Sequence, residues 1–166
     1  KRIKLTLEKK FKNVKVIIPK KNLGLAKSYN LAIKRAKTKY VFLNNPDIEI
    51  NKKSILNLLK CAKNIKDFSI ISPVYKMEKN YKNYEIFTKK NNVKSKIFKK
   101  FDIREVDLID NNFLIKKNNL QIFFDEKFFL YFETIDLAHN LRKNKKKLYI
   151  KNKIKFHHYG SSSLPP

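Results

Sequence analysis

Four acidic residues, Asp125, Glu126, Glu133 and Asp136, fall between Phe124 and Asp136 in a chain that has 14 in all and a formal net charge of +26. Phe124, Phe128, Phe129, Leu130, Tyr131 and Phe132 surround them, so the segment must lie partly against a core. Carboxylates there are costly unless paired, hydrogen-bonded or bound to a cation. Carboxylates held on an apolar wall are also what a metal site or a general base requires. The same residues equally suit a buried strand or turn leading into a helix whose first turn carries Glu133 and Asp136 against the dipole. Taken alone, the segment leaves both readings open.

A second constellation is Asn44-Asn45-Pro46-Asp47, which ends an apolar run. In open α/β sheets ligands bind beyond the carboxyl ends of the strands. An Asp placed there offers a hard oxygen ligand suited to Mg²⁺ or Mn²⁺, and through the ion to a diphosphate. Asn-Pro-Asp also forms a turn unaided. The third is His157-His158, able to ligate a metal or contact phosphate but equally able to be structural. With two glycines in the chain, neither a dinucleotide fingerprint nor a Walker loop can be built.

The elements that must position these residues follow from hydrophobic spacing. Val14–Ile18 is a β-branched run closed by Pro19 and predicts a strand. Asn22-Leu23-Gly24 supplies a turn and cap before a helical pattern of Leu25, Tyr29, Ala32, Ile33 and Ala36. Tyr40–Asn44 predicts a second strand, and Asn51 caps a helix with Ile55, Leu58, Leu59, Ala62 and Ile65 inward. Phe68–Ser72 predicts a third strand stopped by Pro73, and Phe113–Lys116 another. Ile135–Arg142 predicts a helix with Leu137 and Leu141 inward, followed by extended segments at Leu148–Ile150 and Lys153–Phe156. This alternation predicts an α/β layer structure with a mainly parallel sheet in one domain, 1–166. Residues 75–104 break the rhythm and read as a loop or hairpin excursion of the substrate-facing kind.

Composition narrows the classes. The 42% hydrophobic and 13% aromatic content excludes a wholly disordered chain. No apolar run reaches the about 18 residues of a membrane span, and no signal-peptide pattern opens the chain. The single cysteine, Cys61, lies in an apolar helical pattern and reads as inert core, so a reducing, cytoplasmic setting is the default. The positive charge is mostly dispersed Lys, which reads as the drift of an AT-rich genome rather than a nucleic-acid groove, so no nucleic-acid partner is expected. It would still favour anionic membrane faces and anionic substrates.

In order, Asn22-x-Gly24-x-Ala26-x-x-x-Asn30, then Tyr40-Val-Phe-Leu-Asn-Asn-Pro-Asp47, then Phe124-Asp-Glu-x-Phe-Phe-Leu-Tyr-Phe-Glu133-x-x-Asp136-Leu, then His158-x-Gly160-x-Ser resemble family 2 glycosyltransferases. The resemblance is to their rhamnosyltransferase-like branch and runs from about Val14 to Ser163. It implies a GT-A, Rossmann-like three-layer nucleotide-diphospho-sugar transferase fold and inverting sugar transfer with a divalent metal, Mg²⁺ or Mn²⁺. It also implies a lipid-linked or oligosaccharide acceptor and possible peripheral association with the inner face of the cell membrane. By position, it places Asp47 and His158 at the metal, Asn22, Gly24 and Asn45 at the donor, and Asp125 and Glu126 on the acceptor side.

In the same resemblance the family usually reads E-D-x-D-L where this chain has Glu133-Thr134-Ile135-Asp136-Leu137, with the second acid as base. Thr134 cannot serve as a base at neutral pH, which leaves Glu133 and Asp136 as the catalytic candidates. The family's first strand and its nucleobase-binding D-N-x-S-x-D segment should precede Lys1, so an N-terminally incomplete domain lacking the first strands is expected. Two further readings stay open: a catalytically inactive remnant or sugar-nucleotide-binding module of this fold, and a basic nucleic-acid-binding protein.

Overall fold

Apolar side chains at successive strand positions point to opposite faces of a sheet, so an apolar run with no alternation must be covered on both sides. Three such runs organise this protein in its computed structural model, which describes residues 2–76, 83–86, 97–98, 102–110, 112–119 and 123–158. They lie in β3 (Ile70–Lys76), β8 (Leu114–Lys116) and β9 (Leu148–His158). Ile70, Ile115, Leu148 and Ile150 face one core, while Ile71, Leu114 and Tyr149 face the other. The first face is covered by α2 (Gly24–Arg35) through Ala26, Tyr29 and Ile33, and by α4 (Glu133–Lys143) through Leu137, Ala138 and Leu141. The second is covered by α3 (Lys52–Asn64) through Leu58, Cys61 and Ala62. The result is three layers, helix, sheet and helix.

The remaining elements are α1 (Arg2–Lys10), β1 (Tyr40–Phe42), β2 (Ile48–Glu49), β4 (Tyr84–Glu85), β5 (Ile97–Phe98), β6 (Ile103–Glu105) and β7 (Leu108–Ile109). The main sheet runs β1-β8-β3-β9-β6-β5, with β2 pairing β9 at its far end, and β4 and β7 form a separate two-stranded sheet. The expectation of a mainly parallel sheet is corrected. Only β3 and β9 pair in parallel among the described ladders, because β8 inserts antiparallel between β1 and β3. β1 and β3 still run the same way, as the α3 crossover between them requires, but they do not touch edge to edge. The carboxyl ends of β1, β3 and β9 and the amino end of β8 therefore open on one side.

Three local expectations also change. Val14–Ile18 forms no strand. Its β propensity has no neighbouring strand to act on, and the segment is held instead by Val14 N donating to Phe11 O and Val16 N donating to the Glu8 carboxylate. Pro73 does not stop β3. The ladder continues through it, and the register shifts between Pro73 and Val74, where the partner jumps from Lys151 to Lys155. Proline's missing N–H is tolerated at such an irregularity. The same shift unites the two expected segments after α4 into the single strand β9. Parts of residues 75–104 join the sheets as β4, β5 and β6, and the rest of that stretch lies outside the described residues.

Of the two expected caps one forms, since α2 starts after Leu23 with no side-chain cap bond. Asn51 accepts a hydrogen bond from Ser54 N at 2.8 Å and starts α3. No described helix is long and apolar enough to cross a membrane. Replacing Asn51 with Ala is expected to lower stability by about 1 kcal/mol, read as a lower urea midpoint with an unchanged denaturant slope.

Candidate active site

The open side of the sheet gathers residues from five distant segments. At the end of β1 the chain turns through Asn44-Asn45-Pro46-Asp47. Asn45 N donates to Asn112 Oδ1, and Asn45 Oδ1 accepts from the Tyr29 hydroxyl of α2, both at 2.5 Å. Asn112 begins the return into β8 and takes a left-handed backbone, φ 46°, which asparagine tolerates. Ser72 in β3 joins the group, its hydroxyl donating to Asn112 O at 3.1 Å. Asp110 follows β7, and its Oδ1 accepts from the Thr134 hydroxyl at 2.8 Å. Thr134 and Glu133 form the first turn of α4.

The acidic–aromatic segment reaches this place because α2 holds it at two points. Asn30, 3% exposed, binds both backbone groups of Phe124, donating to its O at 2.9 Å and accepting from its N at 3.1 Å. Asn30 Nδ2 also donates to Glu126 Oε1 at 3.1 Å. Five residues on, Phe129 O accepts from Leu25 N at 2.8 Å, capping the first turn of α2. That close approach requires a glycine at position 24. Its φ is +73°, and a Cβ built there would lie 2.4 Å from Phe129 O. Phe124 is buried against Tyr29 and Phe113. Phe129, Leu130, Tyr131 and Phe132 instead stand 50–66% exposed. Tyr131 and Phe132 both adopt left-handed backbone, φ 67° and 64°, which costs about 1–2 kcal/mol per residue without glycine. Strain of this kind collects at functional sites.

The electrostatics are those of crowded acids. Glu133 is 2% exposed, and its Oε2 is buried without a hydrogen-bond partner among the described residues. Burial pushes its carboxyl above the ordinary value, its own backbone N–H opposes this in part, and Asp110 adds a lesser rise. Burial first, then Glu133, Asp110 and Asp47, hold the Tyr29 phenol well above its usual range, so it stays a donor to Asn45. Asn112 Nδ2 is a second buried polar atom with no partner among the described residues.

Each residue singled out from sequence can now be placed. Asn45, half-buried, and Gly24 lie at the site, and Asn22 supports Gly24 by accepting from its N–H at 3.0 Å. Asp47 follows Asn45 by two residues and is half-buried, close enough to act on Tyr29. The β2–β9 ladder pairs Ile48 with His158, which brings the backbone of His158 beside Asp47. The His158 side chain, Gly160 and Ser162 lie outside the described residues. Glu126 is tied to Asn30, whereas Asp125 is exposed and closes a local turn by accepting from Lys127 N. Asp136 accepts from Asn140 one helical turn on.

Sequence reasoning treated Tyr29 as core and overlooked Asp110 and Asn112. A signal for the last two was present, since Asp110-Asn111-Asn112 is a polar break between apolar strands much like Asn44–Asp47. Among the described residues no group of three or more His, Cys, Asp or Glu forms a metal cage. A single carboxylate at a strand end, as Asp47 is, suits the other arrangement, in which an ion takes one or two protein ligands and completes its shell with substrate phosphates and water.

The family model for glycosyl transferase family 2 matches residues 2–128, most of the chain. The chain belongs to glycosyl transferase family 2. The matched part of this family 2 chain ends ahead of α4. Among solved structures it is similar to GalNAc-T7, crystallised with UDP, GalNAc and Mn²⁺, at a TM-score of 0.69 and 13% identity, over 95% of this chain. That likeness shows the GT-A fold. The chain spans 35% of the length of GalNAc-T7. Comparison with curated proteins gave no match.

Two expectations about this family 2 site can be measured. Gly24→Ala should cost about 1–3 kcal/mol in urea unfolding, because the new Cβ meets both a left-handed backbone and Phe129 O. Glu133 has its folded-state pKa raised, so its contribution to stability is full below the unfolded value and is lost as pH rises through the folded one. Glu133→Gln should therefore gain stability over wild type at pH 7 to 8, with the difference shrinking toward pH 4.

Proposed function

We propose that this family 2 domain transfers a sugar from a nucleotide-diphospho-sugar donor to a surface-glycan acceptor, with inversion at the anomeric carbon. The observation that carries this reading is the meeting of residues 22–30, 44–47 and 125–134 with Asp110 and Asn112 at the carboxyl end of β1, where an open α/β sheet binds its ligands. Asn22, Gly24 and Asn45 form the donor side. Asp47 and His158 hold a divalent ion, Mg²⁺ or Mn²⁺, whose chemistry when bound is to neutralise charge on the departing diphosphate. The co-crystallised UDP and Mn²⁺ of GalNAc-T7 support that pairing of nucleotide and metal.

Asp125, Glu126 and the exposed Phe129–Phe132 ridge form the acceptor side. Aromatic faces there suit a sugar ring or the start of a lipid carrier, and the +26 charge supports work at the anionic inner face of a membrane. Assignment to the rhamnosyltransferase-like branch, and a hexose as the sugar moved, rest on the motif resemblance. Glu133 stands just behind the surface an acceptor would meet and shapes the field there, while Asp136 braces the helix through Asn140.

A second reading, a sugar-nucleotide-binding module without turnover, is favoured by Thr134, which donates a hydrogen bond where the family's base usually stands. Release of nucleoside diphosphate from UDP-, GDP- and dTDP-hexoses with Mn²⁺ separates the two. Asp47→Asn should weaken Mn²⁺-dependent nucleotide binding at least about tenfold and lower turnover about 100-fold, on the scale of losing one charge-stabilising group. Tight binding by wild type with no release from any donor selects the binding module.

A further inference from the structure

Inversion requires a carboxylate that an acceptor hydroxyl can reach. On α4 none is presented that way. Thr134 is 3% exposed and is no base, and Glu133 is 2% exposed, so a hydroxyl would have to enter the core to meet it. Asp136 bonds Asn140 on its own helix, and the carboxylates that act on Tyr29 beside the Asn45 turn are Glu133, Asp110 and Asp47. Resting on the transferase reading above, we propose that Asp110 is the base that takes the acceptor's proton, with Thr134 as its positioning residue.

Asp110 stands at half burial on the open side of the sheet, two residues before the Asn112 that binds Asn45. Its backbone is held by Asp110 N donating to Asn83 O at 2.9 Å. Asn83 is in turn buried and donates to Ser72 Oγ and Pro73 O. Its side chain is held by Thr134, whose hydroxyl, buried and fixed by the helix start, donates to Oδ1 at 2.8 Å. That hydrogen bond fixes the direction in which the carboxylate points. The acid missing from α4 thus has a counterpart across the site, on the loop between β7 and β8.

Two buried polar atoms lie next to these residues in the chain. Glu133 Oε2, on the residue next to Thr134, is a buried acceptor without a partner among the described residues. Asn112 Nδ2, two residues from Asp110, is a buried donor in the same state. Asp110 and Glu133 both act on the Tyr29 hydroxyl that binds Asn45, so Asp110 sits beside the donor-side residues as well as the α4 start. In the step itself the acceptor oxygen bonds to the anomeric carbon of the nucleotide sugar. The bond from that carbon to the diphosphate oxygen breaks, and its electron pair leaves with the nucleoside diphosphate. The acceptor proton passes to the Asp110 carboxylate and then to water.

The test measures nucleoside diphosphate release from the hexose donor panel with Mn²⁺, and UDP binding by calorimetry, for the full protein and its variants. Asp110→Asn should lower turnover at least about 100-fold, the lower range for a general base, while Mn²⁺-dependent UDP binding stays within about twofold. Azide or formate should restore part of the turnover of Asp110→Ala, which a folding defect would not allow. Thr134→Ser should keep turnover. Thr134→Val should lower kcat while leaving the KM for the nucleotide sugar unchanged, because the Asp110 carboxylate loses the hydrogen bond that orients it.

Near-wild-type turnover in Asp110→Asn overturns the assignment while leaving the transferase reading intact. Loss of UDP binding together with turnover also overturns it, since Asp110 would then serve the donor. No turnover by wild type with any donor removes the transferase reading and the base assignment together, an outcome distinct from both.

Discussion

The insertion of β8 between β1 and β3 is the constraint on which the rest depends. It gives both neighbours a hydrogen-bonding partner and makes a sheet wide enough to need helices on both faces. It also sets where polar residues gather, because the chain must enter β8 at the same edge where β1 and β3 leave. A return loop delivered to that edge brings Asp110 and Asn112 to the Asn45 turn. A sheet with β1 and β3 edge to edge would have no such loop there.

Asparagine side chains fasten this arrangement. Asn30 satisfies both backbone groups of Phe124, Asn112 takes the N–H of Asn45, and Asn83 ties the β7 end to β3. An amide can donate and accept at once, as Asn30 does toward Phe124, and Asn112 and Asn83 likewise join irregular backbones that could not form a ladder. Buried backbone groups left unpaired cost about 1–3 kcal/mol each. These few side chains therefore decide whether the loops close over the sheet edge.

The acids at this edge gain their character from burial more than from one another. Desolvation is the leading cause of the Glu133 and Tyr29 shifts, and neighbouring carboxylates add a lesser rise. In a chain of charge +26, bulk Lys does not neutralise them, because solvent screens exposed charges within about 10 Å. A small acidic site thus persists on a strongly basic protein, and a divalent ion with a diphosphate is the kind of ligand such a contrast suits.

The sequence by itself determined α2, α3 and α4, their buried faces and the Asn51 cap, because 3.6-residue periodicity and capping are local. It also determined the family, through Asn22–Asn30, Asn45–Asp47 and Phe124–Asp136 in order. Strand pairing was decided only by the tertiary structure, since a ladder depends on which neighbour is available. Val14–Ile18 has strand residues and makes no strand, Pro73 lies within a strand, and the parallel pairing expected from the alternation of elements is limited to β3 and β9. The role of Asp110 belongs to the same class. Its local signal is no more than the polar break Asp110-Asn111-Asn112, and only the fold brings it to Thr134, 24 positions further along the chain.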